Sequence, residues 1–163
     1  MLTLDTPRLG LAESVERLEA MPQFLDAALA SMDEAEMRVR PGAGEFSLGE
    51  HACHLRDLER EGYMVRVKRM LSEQAPRLEP FDGDAVAAAR DYPSQDARAA
   101  AREFAAAREE VVRLIAPLTP EQLAREGTFG DRRVCFADVI AMMVEHDRGH
   151  REEIERLMDY LEE

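Results

Sequence analysis

Residues 139–161, VIAMMVEHDRGHREEIERLMDYL, set two histidines into the apolar face of what reads as a long helix. Val139, Met143, His146, His150, Ile154, Leu157 and Leu161 recur at spacings of 4, 3, 4, 4, 3 and 4, which on a helix is a single inward stripe. Arg148, Arg151, Glu152, Glu155 and Arg156 fall mainly on other faces. His146 and His150 are therefore not members of a solvated charge run. The pattern predicts a helix over about 136–161 whose core face is interrupted by imidazole.

The other two histidines lie in a second stretch of the same kind. Ser47-Leu48-Gly49-Glu50 has the S-x-x-E form of a capping box, in which Ser47 and Glu50 satisfy each other's backbone donors at a helix start. The helix it opens is expected to run from 48 to about 73, with His51, His54, Leu58, Gly62 and Val65 as its inward stripe. All four histidines of the chain thus fall on two core faces.

Two more helices complete the set. The first covers about 11–32 through Leu11, Val15, Leu18, Phe24, Leu25, Ala28, Leu29 and Met32, with Pro22 expected to kink or split it. The third covers about 94–116, ends before Pro117, and includes the alanine-rich run 97–104, read as a solvated helix packing through small residues. Residues 75–93, with three prolines and a glycine around a short helix, are too long for a simple hairpin and suit a crossover between the second and third helices. Thr119-Pro120-Glu121-Gln122 predicts a short extra turn, and EGTFGDRRV a loop or small hairpin. No convincing alternating strand appears, so the fold class expected is all-α, a four-helix bundle forming a single domain over 1–163.

Composition narrows the partners. Thirty-four acidic against twenty-one basic residues give a net charge of −13, which repels phosphate backbones and argues against nucleic acid. No run of about 18 apolar residues exists to span a membrane. Cys53 and Cys135 form no disulfide framework, and MLTLDTPRLGLAE has no basic segment leading into an apolar one; together these point to the cytoplasm.

Four imidazoles meeting in a core need partners, and a shared divalent ion supplies them. Neutral imidazole suits zinc, nickel, iron or copper, and a three-ligand site leaves positions for water or substrate. No H-E-x-x-H is present, and the Glu-x-x-His pairs of di-iron bundles are missing. Cys53 points off the histidine face and reads as a packing thiol, as does Cys135; the cap accounts for Ser47 without a nucleophilic role. Asp57 and Asp147 could orient an imidazole but read first as exposed helix-surface acids, and Arg148 and Arg151 as solvated bases.

The segments RVRPGAGEFSLGEHACHLRDLE, LTPEQLAREG and VIAMMVEHDRGHREEI, in this order and spacing, resemble the DinB-like superfamily of metal-binding four-helix bundles, which includes bacillithiol-transferase and mycothiol-dependent enzymes. By motif, His54, His146 and His150 match that family's metal triad; His51 has no counterpart, and Phe46 stands where tryptophan is common. The resemblance implies a bundle with a long second-to-third connection, a metal toward one end, and homodimerisation. It further implies a divalent cofactor, zinc or nickel first with iron or manganese as alternatives, and a transferase that activates a low-molecular-weight thiol or water against a small electrophile. His51 would then be a catalytic proton shuttle or an orienting group. The competing expectation is a non-catalytic metal-binding or stress-response module with the same bundle.

Overall fold

The computed structural model describes residues 9–163. The expectation drawn from the N-terminal stretch concerns, in Met1 to Arg8, residues outside that range. In chain order the elements are α1 (Leu11–Ala30), α2 (Leu48–Leu58), a π-helical turn (Glu59–Tyr63), α3 (Met64–Ser72), β1 (Arg77–Leu78) and α4 (Gly83–Arg90). There follow α5 (Ala97–Ile115), α6 (Pro120–Leu123), β2 (Glu126–Phe129), β3 (Arg132–Cys135) and α7 (Phe136–Glu162). The fold is a four-helix bundle built from α1, the continuous α2–π–α3 helix, α5 and α7, and the connection from the second to the third is long. No helix among the described residues is long and apolar enough to cross a membrane.

The starts of these helices follow from local chemistry. Ser47 Oγ accepts from Glu50 N–H and Glu50 Oε1 accepts from Ser47 N–H, each at 3.2 Å, which is the capping box expected. Arg40 donates to both Glu50 oxygens at 2.7 Å and ties the preceding loop to this helix start, one turn before the first histidine. Asp96 caps α5 through Ala99 N–H, and Thr119 forms a second capping box with Gln122 over Pro120 at the first helical position.

The core forms two contiguous clusters. One joins Met21, Leu25 and Leu29 of α1 to Leu48, Ala52, Cys53 and Leu55 of α2, Phe104 of α5 and Ile154 and Leu157 of α7. The other joins Leu18 and the α3 side chains Met64, Val67 and Met70 to Val111 and Ile115, Val134, Phe136, Val139 and Met143. In the alanine-rich run of α5, Ala100 and Ala101 are buried, and α5 packs on both α1 and α2. That helix is thus a central packing element whose small residues let backbones approach, and only its Arg98 and Arg102 side is solvated.

Three expectations need correction. First, Pro22 does not split α1, which runs unbroken from Leu11 to Ala30. Proline cannot donate to the carbonyl four residues back, here that of Leu18, and Arg108 Nη1 takes the vacant place at 2.9 Å. Second, Val65 is not on the inward stripe; it is 45% exposed. The π-helical turn at 59–63 adds a residue to the winding and rotates the helix beyond it, so that Met64, Arg66, Val67 and Met70 turn inward instead. Third, the small hairpin, one of the two forms expected for EGTFGDRRV, is extended by a further strand, β1, into a three-stranded sheet beside the bundle. EGTFGDRRV forms the β2–β3 hairpin around Gly130 (φ +59°), and β1 joins β2 in parallel with Leu78 opposite Phe129. A Cβ at Gly127 would lie 2.8 Å from Pro76 O, so only glycine allows this approach.

Candidate metal centre

The four histidines converge as their stripes require. His54, His146 and His150 each offer a ring nitrogen within 4.8 Å of the others, and His51, His150 and Glu153 form an overlapping group on the same criterion. Ring centroids are 4.4 Å apart for His146 and His150, 4.7 Å for His54 and His150, and 5.7 Å for His54 and His146. His51 sits behind His150, with Nδ1 facing Nδ1 at 3.0 Å. Glu153 Oε2 lies 3.7 Å from both His51 Nε2 and His150 Nδ1. One tautomer assignment serves this chain: His150 Nδ1–H donates to His51 Nδ1, His51 keeps its proton on Nε2 toward Glu153, and His150 Nε2 is left free.

Burial pushes every one of these imidazoles down. His51 falls to about 4 through burial and then His54; His146 falls to about 4 through burial and then its neighbours His54, Arg66 and Arg108. His150 falls to about 2 through burial and the other three rings, and His54 is lowered by burial although Asp57 and Asp84 pull it up. All four are neutral at pH 7, the form in which imidazole ligates.

The fit to a cation rests on unsatisfied nitrogens. His54 Nδ1 and His146 Nδ1 are buried and have no hydrogen-bond partner among the described residues. Such orphans are rare in native interiors and call for an explanation. A divalent ion shared by the three rings answers it for the cluster, since imidazole nitrogen is an established ligand for zinc and its neighbours and three protein ligands leave room for another group. The surroundings are shaped for it. Phe46 packs with its ring centroid 5.5 Å from those of both His51 (edge-on) and His54 (tilted), and Gly83 at the start of α4 lies so close that a Cβ there would approach His54 Cε1 to 2.8 Å. His146 and His150 line a cleft of about 490 Å³ walled by Leu58, Phe81, Phe129 and Met142, within the usual range for small-molecule sites.

The sequence matches the DinB superfamily over residues 17–154, most of the chain. The protein belongs to that superfamily. Among solved structures, this DinB fold superposes on YfiT from Bacillus subtilis, described as "a probable metal-dependent hydrolase with an unusual four-helix bundle topology", with TM-score 0.87 and 19% identity over 99% of this chain and 93% of that one. It is also similar to a mycothiol-dependent maleylpyruvate isomerase (TM-score 0.68, 13% identity, 90% of this chain), of whose length it spans 61%. A third likeness is the DinB-like protein YjoA of Bacillus subtilis, at TM-score 0.59 and 13% identity over 93% of each chain. At these identities the likeness concerns the fold. A comparison with curated proteins finds no match.

Within the DinB bundle two acids stand differently from their expected places. Asp57 is 3% exposed: it accepts from Tyr92 Oη at 2.7 Å and Arg56 Nε at 2.9 Å, with Arg90 Nη1 at 3.2 Å. Burial pushes its carboxyl up, but Arg56 and Tyr92 outweigh that and hold it below the usual range. Asp147 is also buried and pairs with Arg108, so neither is a surface acid, and neither meets the orphaned nitrogens. Arg148 pairs with Glu145 and Glu152 on the surface, and Arg151 with Glu155, as solvated bases. Cys53 is fully buried, donates toward Gln95 Oε1 at 3.8 Å, and is pushed up to about 11 by burial; it is a packing thiol. Sequence reasoning missed Tyr63, Arg66, Phe129 and Glu153 at the cleft. The first two were hidden by the π-helical turn, Phe129 by its hairpin, and Glu153 by its place in a run of surface charges.

Proposed function

We propose that the protein is a divalent-metal-dependent enzyme that transfers a low-molecular-weight thiol to a small electrophile. The observation that carries this reading is a cluster of three neutral, partly unsatisfied imidazoles, two of which, His146 and His150, line a substrate-sized cleft. His54, His146 and His150 would hold the ion, zinc or nickel in the first instance. When bound, it supplies Lewis acidity, lowering the pKa of a thiol or water so that a nucleophile is available at neutral pH.

The remaining work falls to the chain's own residues. His51 acts through His150: its Nδ1 fixes that ring's orientation and tautomer, and Glu153 adds a negative charge 3.7 Å from both rings. His51 thus serves as a positioning residue with a proton path toward Glu153 at the cleft's rim. Phe81 and Phe129 give the cleft beside His146 and His150 an apolar wall. The mycothiol dependence of one structural relative supports a thiol as co-substrate, and the description of another as a probable hydrolase keeps water as the second reading. A homodimer and a cytoplasmic setting, on a single domain spanning 1–163, belong to the same proposal.

The test is thiol consumption by zinc- or nickel-loaded protein with a panel of low-molecular-weight thiols and a chlorinated nitroarene. Transfer well above that of His54→Ala is expected. Equal rates in the two proteins across the panel would instead favour a binding module without turnover.

A further inference from the structure

Arg66 is a buried charge without an acid. Its side chain is 6% exposed, and no carboxylate reaches it among the described residues. Nε donates to the carbonyl oxygen of Glu79 at 3.3 Å, and the guanidinium carbon lies 4.8 Å from the Phe129 ring centroid and 5.2 Å from that of Tyr63. The same chain shows how it treats a structural arginine: Arg108, more deeply buried, is met by two carboxylates and a carbonyl. Burial lowers Arg66, yet a guanidinium remains charged at working pH. A side-chain hydrogen bond to Tyr63 and two aromatic faces offset part of the cost of burying it, but none of these partners carries the negative charge that would neutralise it.

The unneutralised guanidinium faces the cleft. Arg66 lines it together with His146 and His150, and Tyr63 bridges the two, its ring centroid 6.1 Å from that of His146. The acids at the rim do not answer Arg66: Glu145 pairs with Arg148, and Glu153 faces His51 and His150. Rings packed against a guanidinium favour contact along its N–H edge, and that planar edge matches a carboxylate through two parallel hydrogen bonds.

We propose that Arg66 anchors the carboxylate of a small, carboxylate-bearing substrate whose reacting end extends to His54, His146 and His150. The proposal deepens the thiol-transfer reading, on which it rests for the chemistry at that end. Arg66 sets which substrates enter: a neutral analogue of equal size leaves the guanidinium desolvated and unpaired, and is rejected for that reason.

Succinate and succinamide serve as probes in calorimetric titrations of zinc-loaded wild type, Arg66→Met and Arg66→Lys, with zinc content measured in each. Wild type is expected to prefer succinate, and Arg66→Met to bind it on the order of 10- to 100-fold more weakly with zinc content unchanged. Arg66→Lys should fall between, because an ammonium keeps the charge without the fork. Succinamide should bind wild type weakly and Arg66→Met no more weakly, because the variant has no guanidinium to leave unpaired. Unchanged succinate affinity in Arg66→Met would overturn the proposal, as would tighter Arg66-dependent binding of inorganic phosphate. The wild-type comparison of succinate with succinamide needs no variant, so equal affinities overturn the proposal even if Arg66→Met fails to fold. A wild type that takes up no zinc contradicts the metal reading alone; the same titrations on metal-free protein then decide the role of Arg66.

Discussion

Replacing Arg108 with leucine removes the group that holds three helices to one another beside the histidines. Its guanidinium donates to Glu59 Oε1 and Oε2 at 2.7 and 2.9 Å, to Asp147 Oδ2 and Oδ1 at 2.6 and 3.0 Å, and to Leu18 O at 2.9 Å. Side-chain exposures are 2% for Arg108, 1% for Glu59 and 9% for Asp147, so solvent does not take over when it is lost. Removing one partner of a buried ion pair costs about 3–5 kcal/mol. The carbonyl of Leu18, which Pro22 cannot serve, adds roughly 1 kcal/mol more. For a chain of this length, about 4–6 kcal/mol corresponds to a loss of roughly 8–24 °C in Tm.

The pH dependence of that loss follows from Glu59. Burial pushes its carboxyl up and Arg108 pulls it down, so without Arg108 the upward push is unopposed. An acid whose folded pKa lies above its unfolded value favours the folded state at low pH and loses that contribution as pH rises through the folded pKa. The deficit of Arg108→Leu against wild type should therefore be largest at neutral pH and above and shrink toward pH 5. Pro22→Ala, which restores a donor to Leu18 O, should help more in the Arg108→Leu background than in wild type. Urea unfolding of the four proteins at two pH values measures all of this. A deficit under about 1 kcal/mol, or one that is equal at both pH values, would refute the reasoning.

Other consequences are simpler. Because the π-helical turn rotates α3, Val65→Ala should change stability by no more than about 0.5 kcal/mol, whereas Met70→Ala should cost about 2–5 kcal/mol; comparable losses in urea unfolding would deny the rotation. Cys53, fully buried and pushed up to about 11, should resist alkylation at pH 8 until the protein unfolds, which mass spectrometry of trapped protein can follow. Ser47→Ala removes the acceptor for Glu50 N–H and should cost about 0.5–2 kcal/mol in thermal unfolding.

Much of this architecture can be read from spacing. The stripe from Val139 to Leu157 and the capping box at Ser47 suffice to orient two helices, and the histidines on them then meet without further information. Periodicity fails where the winding changes. Nothing in EREGY announces an extra residue per turn, so a regular helix carries Val65 inward and Arg66 outward, the reverse of what occurs. The burial of Asp147 is hidden for another reason: it lies one residue from the histidine stripe, and its partner is an arginine 39 residues away. The parallel pairing of Arg77–Leu78 with β2 depends on Gly127 and Pro76 meeting in space, which two residues of strand cannot signal.

The central claim is that His54, His146 and His150 hold a metal ion. Elemental analysis of protein purified without a histidine tag, before and after dialysis against zinc or nickel, tests it most directly. About one ion per chain and a raised Tm are expected in wild type, with both lost in His150→Ala. A wild type that stays empty, with a Tm indifferent to zinc and nickel, would contradict it.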